Sequence, residues 1–263
     1  MNIVAILLLA QILSLTGLLA NWAAEISQQS GARVVVIQLE PGELPQQEPH
    51  RTIARQHFAA PSFQQLFLSA QALSLNPPSG KYQYIFVNRL LAPKDPEALT
   101  GLLAHELGHL WMKAQGYAAP KYLAGEAGCL SVTTGDALQH IVMRDEMDRR
   151  RIIWRPGLVR QFIPALEKMA QDDQADGHPQ VPRCQRLAQV LLWLDVELGI
   201  SDKDWDQRIR FLNLMEKRFP EVAVKGKQLA EELSKLDLRD KQVHRQELVR
   251  VFESLKKFVL SQP

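Results

Sequence analysis

The residues most able to do chemistry are His105, Glu106 and His109, in the run Leu103-Ala104-His105-Glu106-Leu107-Gly108-His109. Histidines four apart project from the same face of a helix. His105 and His109 can therefore offer two imidazole nitrogens to one metal ion. Zinc accepts nitrogen at about 2.0–2.1 Å in a tetrahedral site. Glu106 is rotated about 100° around the helix from His105, so it reaches a water beside the metal without being a ligand. In that arrangement the glutamate is a general base, and a metal-activated water attacks a polarised carbonyl. The opposing account is a core helix with two hydrogen-bonded, idle histidines. It leaves a buried glutamate beside them unexplained, which is costly unless paired.

A catalytic zinc takes three protein ligands and keeps a fourth position open. Three downstream residues are candidates for the third: His140, Glu146 and Glu126. His140 shares a predicted helix face with Met143 and Met147, and Asp136 one turn earlier can accept its second ring proton. Glu146 lies in a charged stretch with Asp145 and Asp148, where pairing with Arg149 or Arg150 competes with metal binding. Glu126 lies in a run of small residues. Tyr117, Tyr122 and His178 are candidates to steady a developing oxyanion, against the simpler account of surface or packing residues. His57 reads as incidental. Trp193, among Leu191, Leu192 and Leu194, reads as core.

The His-Glu-Leu-Gly-His run resembles the active helix of the zincin metallopeptidases. A strand ending near Val87 and followed by that helix is similar to the minimal zincin core. The resemblance spans about residues 34–153 and is specific over the motif alone. It implies zinc on His105 and His109, Glu106 as general base, and a third His or Glu from a downstream helix. It also implies a small sheet whose edge takes an extended peptide or protein substrate. No HxxGxxH continuation follows His109, so the metzincin ligand pattern is absent.

The elements that position the motif follow from punctuation and periodicity. Asp95 caps a helix, Pro96 suits its first position, Glu97 favours the positive dipole end, and Gly116 stops it. Gly31–Leu39 and Lys81–Val87 read as strands. Tyr82, Tyr84 and Phe86 alternate along the second, either lining a groove or packing one face. Glu40–Pro49 is a loop and Pro61–Leu75 a helix. Gly125–Thr134 reads as a loop of small residues, Gly135–Ile153 as a helix, Arg183–Gly199 as another, and the chain is helical from Trp205 onward. The expected class is α+β: a small zincin-like sheet and the motif helix, then a mainly helical C-terminal region. Three parts are expected: an apolar signal or anchor at 1–24, a zincin-like domain at 31–155 and a helical accessory region at 156–263.

The 263 residues carry a net charge of +2, with 46% hydrophobic and 23% charged residues. That is a globular balance, and no basic stripe points to nucleic acid. Ile3 to Ala20 is almost wholly apolar, which suggests export or membrane anchoring through this segment. Cys129 and Cys184 form no CxxC pair, so a cysteine zinc site is not expected; in an exported chain they can form a disulfide. The expectation is a zinc peptidase that is exported or membrane-anchored. The alternative is a non-catalytic, zincin-like membrane-anchored binding or signalling protein, against which the intact Glu106 weighs.

Overall fold

The computed structural model describes residues 11–77, 80–119, 126–172 and 182–260. The chain divides into two compact units, Met1–Ala114 and Gln115–Pro263. The division falls directly after the motif helix.

The first unit is a mixed four-stranded sheet with helices. Strands β1 (Gln11–Leu13), β2 (Arg33–Leu39), β3 (Ala72–Leu75) and β4 (Tyr82–Asn88) lie in the order β1-β2-β4-β3. β2 and β4 run parallel, with Val36 opposite Ile85, while β1 and β3 pair antiparallel to their neighbours. The Val-Val-Val-Ile run of β2 and the aromatic run of β4 suit strands covered on both faces. Side chains alternate between those faces. Val35, Ile37, Leu39, Tyr84 and Phe86 form a core with Ala54 of α2 (His50–Phe58) and Phe67 of α3 (Pro61–Ser69). Tyr84 and Phe86 thus pack a helix-covered face of an inner strand and line no sheet edge. Helix α1 (Gly17–Ser30) packs on β2. The motif helix α4 (Pro96–Ala114) packs on α1, β3 and β4. Trp22 and Trp111 meet between α1 and α4 with ring centroids 6.4 Å apart.

Three expectations change in this half of the chain. The segment 61–75 is a helix followed by the strand β3. Its register is held by pairing with β4, and buried Asn88 donates to the Phe67 carbonyl at the helix end. Residues 50–58 form a helix that was not foreseen. The described part of the apolar N-terminal segment is not one continuous helix. Residues 11–13 join the sheet, and α1, which begins at Gly17, buries Leu19, Trp22, Ala23 and Ile26. Among the described residues, no helix is long and apolar enough to cross a membrane.

The second unit is helical: α5 (Glu126–Arg149), α6 (Arg155–Asp172), α7 (Arg183–Gly199), α8 (Arg208–Arg218), α9 (Pro220–Leu233) and α10 (Lys241–Leu260). α7 lies against α5, α8, α9 and α10. Its Trp193 is buried, and the close approach of α9 requires Gly226, where an added Cβ would lie 2.4 Å from the indole. α5 begins well before Gly135, through residues expected to form a loop. Leu130, Ser131, Thr133 and Thr134 are buried there, and the Thr134 hydroxyl donates to the Leu130 carbonyl at 2.7 Å. Tertiary burial overrides the weak helix propensity of these small polar residues. A disulfide joins Cys129 of α5 to Cys184 of α7.

Candidate metal centre

The local sequence builds α4 as read. The Asp95 carboxylate accepts the Ala98 backbone N–H at 2.8 Å, and Gly116 adopts φ 78° just past the helix end. Satisfying an otherwise orphaned N–H and turning the chain at an αL glycine fix where the helix starts and stops. Ala104 and Leu107 are fully buried and set the helix rotation; Glu106 is only 6% exposed, while His105 and His109 are half-buried.

The Nε2 atoms of His105 and His109 lie 3.1 Å apart, with the rings nearly perpendicular. Two imidazole nitrogens this close share either a proton or a cation. Two nitrogens on one tetrahedral zinc would be about 3.3 Å apart, so the spacing suits a shared ion. Imidazole nitrogens are donors that zinc takes, and the His105–His109 pair fits two positions of such an ion.

His140 is held from behind. Its Nδ1 lies 2.9 Å from Asp195 Oδ1, and Arg144 Nη2 donates to the same oxygen at 2.7 Å. All three side chains are buried. Burial by itself would raise the Asp195 pKa, but the charges of Arg144 and His140 and the hydrogen bonds they donate outweigh it and leave it lowered. A carboxylate there accepts the Nδ1 proton and holds the orientation of the ring, the kind of support that a ligating histidine has. The sequence offers Asp136 for this role; Asp195, brought across by α7, takes it.

The other candidates part company with this cluster. Glu146 is buried, but its Oε1 accepts from Arg150 at 2.9 Å and its Oε2 from Arg239 at 2.9 Å. Glu126 opens α5, and its side chain lies outside the described residues, as do Tyr122 and His178. Tyr117 donates its hydroxyl proton to the Arg239 carbonyl at 3.0 Å, so it is engaged as a packing residue. His57 packs beside Phe63, and desolvation lowers its pKa. Sequence reasoning missed Asp195 and Arg144. The available signal was an acid inside the apolar run Leu191-Leu192-Trp193-Leu194-Asp195-Val196, a position that demands a buried partner.

Comparison of the chain with protein-family models, curated proteins and solved structures gives no match in any of the three.

Proposed function

We propose that this protein is a zinc-dependent metallopeptidase, with zinc held by His105, His109 and His140 and with Glu106 as general base. The observation that carries the reading is the pair of His105 and His109 nitrogens 3.1 Å apart on one helix face, with a buried glutamate beside the first. Zinc, when bound, supplies Lewis acidity toward a carbonyl and lowers the pKa of a water. Glu106 takes the proton of the attacking water and returns it to the leaving amine, a role that needs a carboxylate shielded from solvent. Asp195 holds the His140 ring and its tautomer. β3 is an outer strand packed on α4, so an extended peptide adding to its open edge would lie along the motif helix. The Cys129–Cys184 disulfide supports an exported setting, where such bonds persist.

The test is metal analysis and peptide-library cleavage on the purified chain. Expected are one zinc per chain, cleavage by wild type, reduced zinc in His105→Ala, and zinc without cleavage in Glu106→Gln. Equal cleavage by wild type and Glu106→Gln, or wild type without zinc, overturns the reading.

A further inference from the structure

Helices α5 and α7 meet with one constant offset. Cys129 and Cys184 are separated by 55 positions, and so are His140 and Asp195. The next approach follows suit. A Cβ added at Gly199 would lie 2.6 Å from Nη1 of Arg144, and 199 − 144 is again 55. A constant offset means that the two helices run parallel and in register. From Cys129 to His140, and from Cys184 to Asp195, is 11 residues, about three helical turns and about 16 Å. Eleven residues return within about 20° of the starting face, so each cysteine lies on the same stripe as the polar residue it precedes. The covalent bond is at one end of the shared seam and the His140–Asp195 hydrogen bond is further along it.

A slip of one residue along α7 moves its side chains by about 1.5 Å and 100°. That breaks the His140–Asp195 bond, because a hydrogen bond needs its atoms within about 3.2 Å and aligned. We propose that the Cys129–Cys184 disulfide is the positioning device for His140, and that its redox state sets the zinc affinity of the site. The metal-affinity part rests on the metallopeptidase reading; the positioning part stands on the helix register alone. Reduction by a water-soluble phosphine breaks the S–S bond and leaves two thiols. The phosphine becomes its oxide, taking the oxygen of one water whose two protons go to the sulfurs. α7 is then released from its covalent register with α5, Asp195 no longer fixes the His140 ring, and the third nitrogen is delivered less often. Loss of such support for a ligand lowers metal affinity by about 10–100-fold.

The experiment compares the oxidised full chain, the phosphine-reduced chain and the Cys129→Ser/Cys184→Ser double variant, in which no thiol can compete for metal. Two readouts are taken: zinc affinity by titration, and the His140 Nδ1–H resonance in the ¹⁵N-labelled metal-free chain, with helix content followed by circular dichroism. Expected are a protected Nδ1–H resonance in the oxidised chain only, and zinc binding weaker by about 10–100-fold in the other two at unchanged helix content. A resonance and zinc affinity that are the same in all three overturn the proposal. If the oxidised chain binds no zinc, the metallopeptidase reading fails, and the Nδ1–H comparison still decides the positioning role. If the double variant loses its helices, the phosphine titration of the folded wild-type chain gives the same comparison.

Discussion

Nδ1 of His140 and Oδ1 of Asp195 lie 2.9 Å apart, in a buried pair completed by Arg144. Asp195→Asn keeps the volume and removes the charge that both partners use. Zinc affinity should fall by about 10–100-fold, since the amide no longer favours one ring tautomer. Stability should also fall by about 3–5 kcal/mol, because Arg144 is left buried without its counter-charge. Zinc titration and urea unfolding measure the two effects separately. An unchanged zinc affinity would remove Asp195 from the support of the site.

Glu146 and His140 are both buried residues of α5 and offer a direct contrast. His140→Gln should abolish tight zinc binding while leaving a folded chain. Glu146→Gln should leave zinc stoichiometry at the wild-type value and lower stability by about 1–3 kcal/mol, because it weakens hydrogen bonds from Arg150 and Arg239. Loss of zinc in Glu146→Gln alone would reverse the assignment of the third ligand.

The disulfide closes a loop of 55 residues between α5 and α7. On the chain-entropy account it contributes about 4 kcal/mol by restricting the unfolded chain. The double serine variant should therefore unfold at lower urea concentration with an unchanged native circular dichroism spectrum. No shift in the urea midpoint would show that the link adds no net stability.

Local signals were enough for the motif helix. Asp95, Pro96 and Gly116 mark its ends within the sequence, and the His-Glu-x-x-His spacing fixes which side chains share a face. β2, β4 and α7 were legible for the same reason, since each carries its own periodicity and punctuation. β3 was not, because Ala72–Leu75 has no strand pattern of its own and is a strand through pairing with β4. The start of α5 was hidden because Ser131, Thr133 and Thr134 are poor helix formers that tertiary burial overrides. Asp195 was out of reach for a related reason. Its partner lies 55 residues away, and only the packing of α7 on α5 brings the two together.

The last prediction concerns His244 on α10. Its ring is fully buried, edge-on to Tyr117 with centroids 5.2 Å apart, and Lys241 lies over the same tyrosine. Desolvation pushes the His244 pKa down to about 4, from an ordinary value of 6.5. Between those two values the unfolded chain binds a proton that the folded chain excludes. Stability rises with pH wherever the unfolded state binds more protons. The contribution is thus fully present above about pH 6.5 and is lost as pH falls toward about 4, the loss amounting to about 3 kcal/mol at the lower end. The midpoint of urea unfolding should drop from pH 7 to pH 5. In His244→Leu, which cannot take up that proton, the drop should be shallower by about 2 kcal/mol over the same interval. Parallel pH profiles for wild type and His244→Leu would show that the ring protonates equally well in both states, and that its burial does not set the acid limit of the fold.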